Sequence, residues 1–106
     1  LLPTQLGVFG EKIGGDTAWL YAELKGTLGQ NPTFFSIFGY DAGIIMAEGV
    51  KNSDGSRQGI RDALEKIKDL PAVNGPVTYT PKDHTGQDYR SMAMGRLEGG
   101  VAVPAE

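Results

Sequence analysis

Two stretches of this chain repeat apolar residues at the spacing of an amphipathic helix. The first stripe consists of Leu20, Leu24 and Leu28, and the second consists of Ile60, Ala63, Leu64 and Ile67. Asp16 or Thr17 can cap the start of the first helix, and Gly29 can end it in the left-handed conformation. Pro71 marks where the later helix has stopped. The pattern predicts two helices that each bury one face.

Between these helices the pattern predicts a short strand followed by a third helix. Residues 34–38 have the aromatic and β-branched content of a buried strand, which Gly39 would end. A helix is expected to begin near Asp41. Because Gly43 and Gly49 each cost roughly 1 kcal/mol relative to Ala in an exposed helix, tertiary packing should hold this helix in place. Its small residues should let a neighbour approach closely.

The last third of the chain reads as strands joined by turns. The predicted strands are residues 77–80, 89–97 and 101–103. Residues 81–86 are rich in turn formers and predict a loop after the first of these strands. Glu98-Gly99-Gly100 can turn the second strand back into the third, so we expect the chain to finish as a hairpin.

Composition limits the possible classes of protein. A chain of 106 residues can form one small domain, and 40% hydrophobic with 22% charged residues is typical of a globular protein. The net charge of −3 and the lack of a basic stripe argue against a nucleic-acid partner. The absence of cysteine excludes disulfides, thiolate metal sites and a cysteine nucleophile. The chain begins at Leu1 without the pattern of a secretory signal, and we expect it to be a piece of a longer protein.

Four short strings occur in an order and spacing that match a known family. They are Phe38-Gly39-Tyr40-Asp41-Ala42, Ile60-Arg61-Asp62-Ala63-Leu64, Asn74-Gly75-Pro76-Val77-Thr78-Tyr79 and Asp83-His84-Thr85-Gly86-Gln87-Asp88. In this order the chain resembles the C-terminal part of the substrate-binding proteins of branched-chain amino acid ABC importers, which have the type I periplasmic-binding-protein fold. The resemblance covers about the last two thirds of the chain, and residues 1–33 match only loosely.

This resemblance implies an α/β fold in which three helices pack on a small mixed sheet, as a fragment of a two-lobe protein. Residues 1–106 would form a single partial domain, with residues 1–80 as a lobe portion and residues 81–106 as the crossover and terminal hairpin. The parent protein would bind an amino acid or similar small polar solute between its lobes and dock on the membrane permease subunits of an importer. It would lie in the periplasm or outside the cell in association with the membrane, would catalyse no reaction and would need no cofactor.

The same resemblance suggests which residues touch the solute. In the family, an aromatic residue in the strand-to-helix segment that Phe38-Gly39-Tyr40-Asp41 resembles lies near the cleft between the lobes, so Tyr40 and Phe38 are candidates for pocket walls. Core packing is the alternative for both. Asp41 can either meet an ammonium group of the solute or cap the start of a helix. Tight binding is not expected from this piece alone, and its exposed strand edges could pair two copies in a homodimer.

Two other classes of function stay open at this point. Related folds serve as ligand-sensing domains of receptors and transcription regulators, and fold alone does not distinguish these roles. A small enzyme could use Asp83, His84 and Asp88. With one histidine and no known metal-ligand spacing, we interpret Asp83 and Asp88 as formers of Asx-turns instead.

Overall fold

The computed structural model describes residues 1–105. Its helices are α1 (Leu6–Phe9), α2 (Gly15–Leu28), α3 (Phe34–Lys51) and α4 (Arg57–Leu64), and its strands are β1 (Leu2–Gln5), β2 (Thr78–Thr80), β3 (Asp83–Gly86), β4 (Met92–Glu98) and β5 (Val101–Pro104). Short 3-10 turns cover Gly10–Ile13 and Tyr89–Ser91. The expected α/β fold class is confirmed. The described residues hold four α-helices where three were expected, because the chain makes a single helical turn before α2.

The strands form two small antiparallel sheets. One contains β1, β4 and β5 in that order, and the other is the β2–β3 hairpin. The expectation of one mixed sheet is therefore wrong in detail, since every strand pair in residues 1–105 is antiparallel. The pairing of β1 with β4 was not expected, because Leu2 lies opposite Gly95 and local sequence does not encode contacts over such a separation.

A small core joins the helices to both sheets. Its buried apolar side chains are Phe9, Leu20, Ile37, Ile67 and Val77. Phe9 packs directly under β4, where a Cβ at Gly95 would lie 2.9 Å from the Phe9 ring. A side chain at Gly95 would therefore push α1 away from the sheet.

The first predicted helix is confirmed as α2, although its start is capped differently. Gly29 follows α2 with a φ of 72° and donates its N–H to the carbonyl of Lys25 at 3.0 Å, as the C-terminal glycine was expected to do. Neither Asp16 nor Thr17 caps α2, because the helix begins at Gly15 and its N-cap residue is Gly14. Thr17 is buried instead, and its hydroxyl donates a hydrogen bond to the carbonyl of Val73 at 3.2 Å.

The predicted strand at residues 34–38 is wrong, because these residues form the first turns of α3. A capping box between Thr33 and Ser36 begins the helix, and the Ser36 side chain accepts the Thr33 N–H at 3.4 Å. A short apolar run fits a buried strand and a buried helix equally well, so its composition did not decide between them. Gly39 and Asp41 consequently lie inside α3 and do not mark its start.

The expected close approach of a neighbour to α3 is confirmed at Gly49. A Cβ at this position would lie 2.8 Å from Cδ2 of Leu64 on α4. Ser56 caps α4 by accepting the N–H of Gly59 at 2.9 Å. The helix ends at Leu64, so the last residue of the predicted stripe, Ile67, is buried in the segment that follows.

The C-terminal strands agree with expectation except at two places. Residues 83–86, expected as loop, pair with β2 as β3, and residues 89–91 form a 3-10 turn before the long strand begins. The terminal hairpin is confirmed, with Glu98 opposite Val101 across a two-residue turn. Both turn glycines have positive φ, 59° at Gly99 and 82° at Gly100, as a tight β-hairpin turn requires.

Candidate functional site

Asp41 is a buried carboxylate that binds the backbone of a distant loop. It is only 4% exposed, and its Oδ1 and Oδ2 accept the N–H groups of Val73 and Asn74, each at 2.8 Å. Burial raises the pKa of Asp41 above its ordinary value, and the two backbone hydrogen bonds offset part of that rise. The expected capping of its own helix is wrong, because the carboxylate satisfies the N–H groups of residues 73 and 74.

Asn74 continues this polar network to the N-terminal strand. Its side chain is fully buried, its Oδ1 accepts the Gly7 N–H at 2.9 Å, and its Nδ2 donates to Oε1 of Gln5 at 3.0 Å. Asp41 and Asn74 therefore connect α3, the loop before β2 and the end of β1. Buried polar groups are costly unless they are paired, and within residues 1–105 no buried side-chain polar atom lacks a partner.

Tyr40 lies at the surface beside Trp19. It is 41% exposed, and its ring meets the Trp19 ring edge to face with centroids 6.3 Å apart at 75°. The two rings line a depression of about 240 Å³ whose other residues are Asp16, Ile44, Pro71, Ala72 and Val73. Since Asp41 holds Val73 by its N–H, the buried carboxylate fixes one wall of the depression that Tyr40 lines.

Phe38 and Asp41 line a different depression, of about 260 Å³, next to the β2–β3 hairpin. Its remaining residues are Ala42, Ile45, Val77, Tyr79, Thr85, Gly86 and Gln87. The structure therefore brings two of the three sequence-predicted site residues together and places Tyr40 in the neighbouring depression. That any of the three contacts a solute stays a prediction.

A third depression, which sequence reasoning missed, lies between α3, α4 and the β2–β3 hairpin. It measures about 400 Å³ and is lined by Ala42, Ile45, Met46, Arg61, Leu64, Glu65, Tyr79 and His84. His84 Nε2 lies 3.0 Å from Glu65 Oε1, and Arg61 Nη2 lies 3.2 Å from the same oxygen. Glu65 and His84 are 19 residues apart, and only the unexpected strand β3 carries His84 to α4.

His84 does not form a catalytic cluster with the aspartates near it in sequence. Asp83 accepts the Thr85 N–H at 2.9 Å, and Asp88 accepts the Arg90 N–H at 2.9 Å, so the expected Asx-turns are confirmed. Side-chain hydrogen bonds from Arg90 lower the pKa of Asp88 below its ordinary value. Among residues 1–105, no group of three or more histidine and acidic side chains could hold a metal ion.

Comparison with known proteins gives a structural match and no match by sequence. No family model and no curated protein sequence matches the chain. The fold is similar to the crystal structure of an extracellular ligand-binding receptor from Rhodopseudomonas palustris HaA2, with a TM-score of 0.71 and 25% sequence identity. The match covers 97% of this chain and 33% of the receptor chain, so this chain spans about a third of the receptor's length.

This similarity confirms the fold class as a fragment of a periplasmic-binding-protein-like fold. Residues 1–33, which resembled the family only loosely by sequence, are included in the match, since nearly the whole chain superposes. In the described part of the chain, no helix combines the length and the apolar character needed to cross a membrane.

Proposed function

We propose that this chain is part of an extracytoplasmic solute-binding protein that holds a small polar solute between two lobes. The observation that carries the proposal is the superposition of 97% of the chain on one third of an extracellular ligand-binding receptor. That protein is an extracellular ligand-binding receptor. The role proposed here is accordingly binding without catalysis, in the periplasm or at the cell exterior.

The solute we favour is a branched-chain amino acid or a similar small polar molecule, delivered to the permease subunits of an ABC importer. The four strings that resemble this family support the choice. The four strings lie, in order, in the first half of α3, along α4, in the loop and strand β2, and in strand β3 with the turn that follows it. The two lobes would close on the solute by a hinge motion, and the closed form would dock on the importer.

Within such a protein, we assign residues 1–80 to a lobe and residues 81–106 to the crossover and terminal hairpin. This assignment is based on the resemblance alone, because both sheets join the two segments: β2 pairs with β3, and β1 pairs with β4. The last residue of the assigned segment, Glu106, lies outside the described residues. Strands β1 and β5 are the outer strands of their sheet, and we expect their open edges to favour homodimers of this piece.

We assign the walls of the solute site to Tyr40 and Phe38, which line two neighbouring depressions, and Asp41 holds the backbone of Val73 beside Tyr40. The exposed face shared by Tyr40 and Trp19 supports this assignment, since aromatic rings that remain open to solvent suit a ligand-binding wall. An amino acid also needs an acceptor for its ammonium group. Asp16 lines the same depression and carries an exposed carboxylate.

A thermal-shift screen of the longer parent protein against amino acids, small carboxylic acids and amides tests the proposed function. We expect the melting temperature to rise with a branched-chain or related amino acid, because a ligand that binds the folded state alone stabilises it. A parent protein that no small polar solute stabilises would contradict the proposal.

A ligand-sensing domain of a receptor or transcription regulator is the second candidate, because the matching structure is that of a receptor. The two candidate functions share the solute site and differ in the other domains and partners of the parent protein. A DNA-binding or signalling domain in the parent would favour sensing, and binding of the parent to importer permease subunits would favour transport.

A further inference from the structure

The depression between α3, α4 and the β2–β3 hairpin, here named the Glu65 groove, has an apolar floor and one polar end. Its volume of about 400 Å³ falls within the range of small-molecule sites, roughly 300–1,000 Å³. The floor is formed by Ala42, Ile45, Met46 and Leu64, and the polar groups are Arg61, Glu65, Tyr79 and His84. This division suits a ligand with an apolar body and a single polar head.

The charges at the polar end favour a cationic head. Glu65 is the most enclosed of the charged groups, with 17% of its side chain exposed against 59% for Arg61. Arg61 is shared between Glu65 and Asp62, each at 3.2 Å. One guanidinium thus faces two carboxylates, so Arg61, Asp62 and Glu65 together carry a net negative charge. Protein carboxylates in partly enclosed sites attract cations more strongly than they do in bulk water.

The free hydrogen-bonding capacity of the groove points the same way. Oε1 of Glu65 accepts hydrogen bonds from His84 Nε2 at 3.0 Å and from Arg61 Nη2 at 3.2 Å. Among the described residues, Oε2 accepts only from Arg61 Nη1, at 3.4 Å, and so keeps a lone pair for a further donor. The Arg61 donors are directed at carboxylates. A primary ammonium group supplies three donors and a positive charge, and Tyr79, which lines the groove, is an aromatic residue of the kind that attracts cations. A carboxylate ligand would meet like charges instead.

We propose that the Glu65 groove binds a small primary amine with an apolar body, such as an arylalkylamine. The groove adjoins the depression of Phe38 through Ala42, Ile45 and Tyr79, and it does not include Tyr40. The proposal does not depend on the function proposed above, because it is based on the contacts of α4 with the β2–β3 hairpin within this chain.

Nuclear magnetic resonance titration of the 106-residue chain tests the proposal with three probes of matched apolar body: 2-phenylethylamine, 2-phenylethanol and 3-phenylpropanoate. We expect the amine to shift the Met46 methyl and His84 ring resonances, with a Kd at least about tenfold below those of the other two. The proposal is overturned if the alcohol or the acid binds as tightly as the amine, or if the amine leaves the groove resonances unmoved.

Three variants locate the site. Glu65→Gln should raise the Kd for the amine at least about tenfold and leave that for the alcohol unchanged, because it removes a charge and keeps the shape. Glu23→Gln, an exposed change on α2, should alter neither value. Since Glu65 also holds His84, Ala42→Phe is an independent check: Ala42 is an exposed groove residue, and the larger ring should abolish amine binding. Unchanged amine binding in Glu65→Gln and Ala42→Phe would overturn the proposal.

Discussion

The side chain of Asp41 on α3 binds the backbone N–H of Asn74, and the side chain of Asn74 in turn binds the N-terminal segment. The Asn74 N–H donates to Oδ2 of Asp41 at 2.8 Å, while its side chain bonds Gly7 and Gln5. Both residues are buried. A single polar pair therefore sets the position of α3 relative to β1 and also shapes the depression in which Tyr40 lies.

Replacement of Asp41 by Ala should destabilise the protein. The change leaves the N–H groups of Val73 and Asn74 buried without their acceptor, at a cost of about 1–3 kcal/mol for each unsatisfied group. Urea denaturation followed by circular dichroism measures the free energy of unfolding. Glu23→Ala removes an exposed carboxylate from the middle of α2 and is the control, for which we expect a change within about 0.5 kcal/mol. Equal stabilities of the two variants would show that the Asp41 bonds contribute little.

The stability difference between the wild type and Asp41→Ala should depend on pH, and the raised pKa of Asp41 sets its direction. Because burial raises the pKa of Asp41, the folded state holds its proton more tightly than the unfolded chain does. The stabilisation from Asp41 is fully present below the ordinary pKa of 3.8 and falls as the pH rises through the raised value. The stability gap between the wild type and Asp41→Ala should thus be larger at acid than at neutral pH. A gap that narrows on acidification would mean that the hydrogen bonds outweigh burial.

Asn74→Ala tests the other half of the pair. The variant leaves the buried N–H of Gly7 without an acceptor and removes the hydrogen-bond partner of the Gln5 side chain. We therefore expect the free energy of unfolding to fall by about 1–3 kcal/mol. Hydrogen exchange should also speed up at Gly7, because its amide loses its acceptor. Asn31→Ala changes an exposed asparagine and should have neither effect. Unaltered exchange at Gly7 in Asn74→Ala would rule out this connection.

Local sequence predicted the elements whose signals are local. Helix α2 follows from its leucine spacing and Gly29, and the terminal hairpin follows from Gly99-Gly100. The strand predicted at residues 34–38 failed because five largely apolar residues fit either a buried strand or a buried helix. The deciding signal was the pair of hydroxyl residues Thr33 and Ser36, spaced as in a capping box.

The site could be predicted only in part, because its geometry depends on long-range contacts. Asp41 was identified as a candidate, yet its partners lie 32 and 33 residues further along the chain. The position of His84 next to Glu65 likewise depends on β3, which was not predicted because its turn-rich composition indicated a loop. Residue type indicated which side chains could act, whereas the tertiary fold determined which of them meet.

Two glycines of α3 should respond in opposite directions to the same substitution. Gly43 has open space where a Cβ would lie, so Gly43→Ala should stabilise the protein by about 0.5–1 kcal/mol through helix propensity. At Gly49 the added Cβ would lie 2.8 Å from Cδ2 of Leu64. Gly49→Ala should lower stability by about 1–3 kcal/mol, since overpacking outweighs the gain in propensity. Thermal unfolding of both variants gives the comparison, and a stabilised Gly49→Ala would contradict the close packing of α3 on α4.

Tyr40→Ala in the longer parent protein tests the proposed solute site. If Tyr40 is a wall of the site, its loss should weaken solute binding at least about tenfold, or about 1.4 kcal/mol, in calorimetry. The fold should survive, because Tyr40 is 41% exposed and its ring contacts Trp19 at the surface. Tyr89→Ala is the matched control, since Tyr89 is 78% exposed and lies in the 3-10 turn before β4. Both variants lose a surface tyrosine, so a solute affinity that falls only in Tyr40→Ala assigns the effect to the depression that Tyr40 lines. A solute affinity that is unchanged in both variants removes Tyr40 from the site.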